Sequence, residues 1–353
     1  MSSRFATVPI VAALCALVLP APGWAQRAGL AYVSNQDAAV SVVDLRTLEV
    51  TSTIDIDGKG PRGIGLSGDG KMLVTANLAD GNISVIDTST GKLLRHVAIG
   101  KNPEFLRVVG DTAYVTCEPK VQGVAAAASG PQASKNDDDD DKTPGHVVVV
   151  DLKSGQVIRD ITGKPETEGL EFSKNGRELI VTNESDSSLS IFDNATGRPI
   201  RTVSLARYGN RPRGIKVSPD GSTYLVTMEM SNKLLVLNDK FEVVKEVGTA
   251  NAPYGVAFDR SGERAYVAAA RDKMLQVYDA KTWTKIKDVA SGNRCWHFSF
   301  TPDGRQILLA CGRSNEVLVV DVGTLEVSKR IAGFQLPWGI VTSPKSMGSV
   351  DAP

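Results

Sequence analysis

The chain has 353 residues and carries 40 Lys plus Arg against 40 Asp plus Glu, so its formal net charge is zero. A general nucleic-acid binder needs a net basic face to release counterions from phosphates, and this balance argues against one. Hydrophobic residues at 42 % and charged residues at 23 % are the composition of a folded globular chain, which excludes extended low-complexity disorder.

Residues 1–25 read as a targeting signal. Arg4 supplies a positive start, Val8 to Leu19 is an apolar stretch short for a bilayer, and Gly23-Trp24-Ala25 places small residues around a cut after Ala25. Cys15 follows Leu14, where lipid attachment would want a small residue. An uncleaved anchor is the alternative reading. No later stretch is apolar enough to span a membrane, so a periplasmic or secreted chain is expected.

Beyond the signal the sequence repeats. Tyr32-Val33-Ser34-Asn35, Val74-Thr75-Ala76-Asn77, Tyr114-Val115-Thr116-Cys117 and Ile180-Val181-Thr182-Asn183 vary one phrase, continued by Leu225 to Met228, Tyr266 to Ala269 and Leu308 to Cys311. After each comes a β-rich run ending in Asp or Asn, such as Ile83 to Asp87, then a turn, then a third short strand such as Leu94 to Ile99. A fourth phrase precedes the next repeat, as in Pro212-Arg213-Gly214-Ile215-Lys216-Val217-Ser218-Pro219-Asp220-Gly221. Its Pro-Asp-Gly is a tight turn, because proline presets φ and glycine accepts a positive one. No sustained helical period interrupts the pattern.

Four short strands per repeat of about 42 residues predict a β-propeller blade. The expected fold is all-β: a seven-bladed β-propeller of four-stranded antiparallel blades over residues 26–344. The first repeat lacks a leading Pro-x-Gly strand, and Pro337-Trp338-Gly339-Ile340-Val341-Thr342-Ser343-Pro344 supplies it from the other end. The C-terminal strand is therefore predicted to complete blade 1 and close the ring. Blade 3 carries an insert, 119–145, rich in Ala, Gly, Ser and Pro and ending in Asp137 to Asp141; it reads as a flexible acidic loop. Residues 345–353 read as a disordered tail.

These phrases resemble the YVTN-repeat β-propeller family, extracytoplasmic proteins akin to the YncE type, some of them associated with quinone-cofactor (PQQ) alcohol metabolism. The resemblance covers residues 31–344. It departs at Cys117, Met228, Ala269 and Cys311, where Asn is usual. It implies the propeller fold and leaves function open.

Aligning the seven Pro-x-Gly phrases gives one mouth residue per blade: Trp338, Arg62, Glu104, Glu168, Arg213, Tyr254 and Trp296. An aromatic arc (Tyr254, Trp296, Trp338) is expected to face a charged one. The residue after each Asn-type position adds a second ring, in which Glu118, Glu184 and Glu229 gather acid on blades 3 to 5. Acid opposite aromatic faces suits an organic cation or a cationic patch of a protein partner. Alternatively the charges neutralise one another and the aromatics only plug the channel. The step after x is usually Gly, and blade 7 breaks this with His297, either a structural histidine or an acid, base or ligand. Cys295 and Cys311 could form a disulfide, or with His297 a soft-metal site. The aspartate run lacks the spaced ligands of a calcium loop.

There is no Gly-x-Ser-x-Gly, His-Glu-x-x-His, phosphate loop or haem-attachment motif, and no cofactor is expected. The leading expectation is a monomeric, non-enzymatic binding propeller that recognises a small molecule or protein at its mouth. The alternative is a propeller enzyme, lactonase-like or quinone- or haem-linked, using His297 with Glu104 or Glu168 as acid and base.

Overall fold

The structure, a computed structural model, describes residues 29–118 and 143–351. Its 28 strands form seven separate four-stranded antiparallel sheets. Blades 2 to 7 each take four consecutive strands. Blade 1 is built from both ends of the chain: Pro337–Ser343 is its inner strand, hydrogen-bonded to Leu30–Asn35. Ring closure by the C-terminal strand is therefore present. The signal segment 1–25 and insert residues 119–142 lie outside the described residues. The last residues assigned to the insert are already structured, since Gly145 N–H donates to the Lys164 carbonyl and Gly163 N–H to that of Gly145.

Burial falls from the axis outward. Inner strands such as Thr167–Phe172 are buried throughout, whereas the outer strand Pro199–Ser204 is almost wholly exposed. Each blade packs its two faces on its neighbours, so the core is a set of apolar layers between sheets.

The repeated Asn has a local cause. Asn77 Nδ2 donates to Ser84 Oγ at 2.8 Å, Asn35 to Ser41 at 2.9 Å and Asn183 to Ser190 at 3.0 Å, all buried. Where the Asn is replaced by Cys117, Met228 or Cys311, the partner position holds Val148, Leu235 or Leu318. In these blades the polar pair is lost as a unit, because one half alone would be a buried unsatisfied group; in blade 6, where Ala269 replaces Asn, the partner Gln276 is satisfied instead by Ala250 N–H and Asp288.

Cys295 and Cys311 are cross-strand partners in blade 7 and are joined by a disulfide. Their sulfurs are thus not available as a metal pair with His297.

One expectation is corrected. The described part of the tail, 345–351, is not disordered. It turns back into the far end of the channel and runs along the inner strand of blade 7. Phe300 N–H donates to the Met347 carbonyl at 2.8 Å, and Ser349 N–H to that of Phe298 at 2.9 Å. Val350 is 1 % exposed. The segment is mostly small and polar, which reads as disorder, but it is held through its backbone, and composition does not report that.

Candidate functional site at the channel mouth

Three recurring devices place the mouth residues. First, every inner strand carries a β-bulge just after its Pro-x step. The N–H freed by the bulge is taken by the Ser or Thr that precedes the Asn position. Gly169 N–H donates to Thr182 Oγ1 at 2.8 Å, and that hydroxyl donates to the Arg213 carbonyl of the next blade at 2.9 Å. Thr227 links Gly214 to Tyr254 in the same way, and Ser34 links Gly339 to Arg62. Arg62, Arg213 and Tyr254 are thereby fixed by the blade before each of them; Thr116 takes the Phe105 N–H without such a link, and Ala268 and Ala310 hold the position in blades 6 and 7.

Second, the glycine after x is required by close approach. A Cβ on Gly169 would stand 2.3 Å from the Arg213 carbonyl oxygen, and one on Gly214 2.4 Å from that of Tyr254. Third, the residue two before x has a positive φ in all seven blades: Gly60, Asn102, Glu166, Arg211, Ala252, Arg294 and Leu336. A non-glycine residue bears about 1–2 kcal/mol for that conformation. In return its carbonyl accepts the N–H of the second-ring residue, as Asn102 does from Glu118 (3.1 Å), Glu166 from Glu184 (2.9 Å) and Arg211 from Glu229 (2.9 Å).

These devices bring the acidic side chains of blades 3 to 5 together. Arg213 is the hub. Its Nη1 donates to Glu168 Oε1 at 2.9 Å, and its Nε lies 2.7 Å from both Glu184 Oε1 and Glu229 Oε2. Its guanidinium also stacks 4.7 Å from the Tyr254 ring centroid. The Tyr254 hydroxyl donates to Glu168 Oε1 at 3.1 Å. Arg62 pairs with Glu104. Arg211, not anticipated from sequence, donates to Glu184 from Nε at 2.9 Å. Burial works against the charge on Arg213, yet Glu184, Tyr254, Glu168 and Glu229 hold its pKa above the usual guanidinium value. Glu229 is likewise held below its usual value by Arg213 despite burial. Burial pushes Glu184 up to about 8 against the pull of Arg213 and Arg211. Glu118 is pushed well up by burial and then by Glu168 and Glu184.

The carboxylates of Glu104, Glu118 and Glu168 converge, each offering an oxygen within 4.8 Å of the other two. Only Glu118 of the three is half-buried rather than buried, so it is the one most open to solvent. Glu168 Oε2 has no partner, and neither has the Oδ1 of Asn102, whose Nδ2 lies 3.5 Å from Glu118 Oε2.

The aromatic side chains do not form a separate arc. Tyr254 joins the charged network, because a buried phenol needs a hydrogen-bond partner. Trp296 lies over Gly312, where a Cβ would meet its ring at 1.9 Å, and so fills the second-ring seat of blade 7. Trp338 is 2 % exposed and packs 4.3 Å from the His297 ring centroid. His297 is enclosed by Trp338, Tyr254 and Phe105, with Nδ1 3.0 Å from Ser349 Oγ of the tail. Burial first, then Arg107 and Arg213, lower its pKa to about 3. It is a neutral, enclosed ring at neutral pH, not an acid or base at the opening. Phe105 was overlooked in the sequence, although it and His297 are the two residues that break the glycine rule after x.

A second charged layer lies deeper. Arg107, Glu171 and Lys216 occupy the third position after x in blades 3, 4 and 5, and all are at most 1 % exposed. Glu171 Oε2 stands 3.2 Å from Arg107 Nη1 and 3.7 Å from Lys216 Nζ. Both cations also donate to the Asp351 carbonyl of the tail. Strict alternation from x skips this third position; the bulge is what turns it to the axis.

Comparison with known proteins agrees with this geometry. The family of YNCE-like beta-propellers matches residues 23–113. YncE of Salmonella typhimurium, itself uncharacterised, is 27 % identical over 206 residues, 57 % of this chain and 51 % of that protein. The chain is a β-propeller similar to the YncE-like family. It matches about half the length of that relative, and the same holds for YncE of Salmonella typhi at 26 % identity. Among solved structures, a protein of unknown function from Desulfotomaculum acetoxidans superposes with a TM-score of 0.73 at 16 % identity, over 89 % of this chain and 98 % of that one. Kuenenia stuttgartiensis hydrazine synthase gives 0.67 at 18 %, over 82 % and 92 %. A Bacteroides uniformis protein provisionally assigned as a 6-phosphogluconolactonase gives 0.69 at 16 %, over 90 % and 100 %. At these identities the likeness is one of fold. Among the described residues no helix is long and apolar enough to cross a membrane.

Proposed function

We propose that this YncE-like propeller is a binding module of the bacterial envelope that takes a positively charged group, from a small molecule or a protein partner, at the mouth of its channel. One observation carries the reading: five carboxyl groups, Glu104, Glu118, Glu168, Glu184 and Glu229, converge on three guanidiniums, Arg62, Arg211 and Arg213, and burial raises two of the five, Glu118 and Glu184, so that an entering cation would return them to the charged form. The tail occupies the far end, so the opening behaves as a cup rather than a conduit. A cation entering it gains Coulomb attraction in a partly desolvated site, where such attraction is worth more than in water.

The test is a thermal-shift panel on the full chain with choline, spermidine and an arginine-rich peptide as probes. Stabilisation by at least one probe is expected, with loss of the shift in Glu104→Gln/Glu168→Gln at an unchanged circular dichroism spectrum. No shift with any probe, or an equal shift in the double variant, sinks the reading. So does turnover in a screen of lactones, which would place the protein with the propeller hydrolases.

A further inference from the structure

We infer that the meeting point of Glu104, Glu118 and Glu168 is a seat for a hard divalent cation, Ca²⁺ by its tolerance of an irregular set of protein oxygens, with Asn102 as a fourth oxygen donor. The inference rests on the reading that the mouth recognises positive charge, and it names the cation.

The donor set is all oxygen, which suits Ca²⁺, Mg²⁺ or Mn²⁺ rather than a soft metal. Hydration then discriminates. Mg²⁺ demands near-ideal octahedral geometry and gives up its waters reluctantly, whereas Ca²⁺ accepts an irregular set of protein oxygens. Three carboxylates from two neighbouring blades, each with an oxygen within 4.8 Å of the other two, are such a set.

Acid alone would not make a site, since exposed carboxylates often cluster. Here buried polar atoms stand idle beside the cluster. Glu168 is 2 % exposed, and its Oε1 serves Arg213 and Tyr254 while Oε2 has no partner. Asn102 is 7 % exposed and reaches Glu118 with its amide, yet its Oδ1 is also without a partner. A half-turn of that amide exchanges Nδ2 for Oδ1 at Glu118. A buried oxygen left without a partner is costly, and a cation at the cluster accounts for both.

The experiment is calorimetric titration of the full chain, stripped with EDTA and dialysed, with CaCl₂ and separately with MgCl₂. One Ca²⁺ per chain is expected, with Mg²⁺ weaker by roughly tenfold or more. Glu118→Gln, on a half-exposed side chain, and Glu168→Gln should each weaken Ca²⁺ by at least roughly tenfold while the circular dichroism spectrum is unchanged. A variant with Asp137 to Asp141 changed to Asn should bind as the parent does. Absence of Ca²⁺ heat, equal affinity for Mg²⁺, or binding lost with the aspartate run but kept in Glu118→Gln would overturn the inference. If Ca²⁺ fails while an organic cation still stabilises the parent, this inference falls and the broader reading stands; silence from both fells both.

Discussion

Replacing Glu171 by Gln tests how the far end of the channel is held. The carboxylate of Glu171 is 1 % exposed and, among the described residues, is the side-chain anion that forms ion pairs with both Arg107 and Lys216. Gln keeps the shape and can still accept hydrogen bonds, such as that from Phe172 N–H at 2.9 Å. What it removes is the charge between two fully buried cations. Breaking a buried ion pair from one side costs about 3–5 kcal/mol, because the partner is left charged in a poorly polarisable site. For a chain of this size each kcal/mol moves the melting temperature by about 2–4 °C or somewhat less, so a fall of roughly 10 °C is expected in differential scanning calorimetry. Adding Lys216→Met should recover part of the loss, since it removes one stranded cation. A single variant that melts within about 2 °C of the parent would refute the assignment of Glu171 as the counter-ion, and a double variant less stable than Glu171→Gln would show that Lys216 contributes through packing instead.

Three further outcomes follow from the same structure. Burial first, then Arg107, lowers Lys216 to about 7 from 10.5; the unfolded chain then holds the extra proton between those values, so parent stability should rise as pH increases from 7 towards 10, and urea titrations of Lys216→Met should lack that rise. Deleting 335–353 removes the inner strand of blade 1 with Trp338, Ile340 and Val341, each worth about 1.5–3 kcal/mol of burial, together with the ladder to Leu30–Asn35; against a total stability of about 5–15 kcal/mol the product should show no cooperative unfolding by circular dichroism, and a parent-like transition would contradict ring closure. The buried Cys117 thiol is pushed up to about 12 by burial and nearby acids, so alkylation with iodoacetamide at pH 8 should leave it unmodified in the native protein and modify it after unfolding, as read by mass spectrometry.

The fold was legible because each repeat restates the same local chemistry. Turn residues, the Ser or Thr that caps the bulge and the glycine after x all recur, and the missing first strand reappears at Pro337. The ring of x residues followed from that alignment, and Glu104, Glu168, Arg213 and Tyr254 do meet. Other members were hidden for definite reasons. Arg107, Glu171 and Lys216 were missed because the bulge breaks the two-residue alternation on which a face assignment rests. Arg211 and Asn102 sit at the positive-φ position, which reads as loop. Phe105 differs from glycine at one place and was overlooked beside the more conspicuous His297. The tail was read as disordered because its contacts run through carbonyls and N–H groups, which every residue type possesses.

The two charged layers come from the same three strands and have different logic. Blade 3 contributes Glu104 and Arg107, blade 4 Glu168 and Glu171, blade 5 Arg213 and Lys216. In the deep layer two cations meet Glu171 and the tail, whose Asp351 supplies a carbonyl and a nearby carboxyl raised to about 6 by burial. In that layer Glu171 meets both cations, and each cation also donates to the tail. The mouth differs. Arg213 is shared among Glu168, Glu184 and Glu229, Arg62 is committed to Glu104, and Glu118 is left with an amide 3.5 Å away. If the mouth were only a structural plug, the arrangement that pairs Glu171 with two cations in the deep layer would be expected to give Glu118 a cation here, on the same blades and at lower desolvation cost. The carboxyl left without one is therefore informative about what enters, and it sits on the half-exposed side of a channel whose other end is already filled.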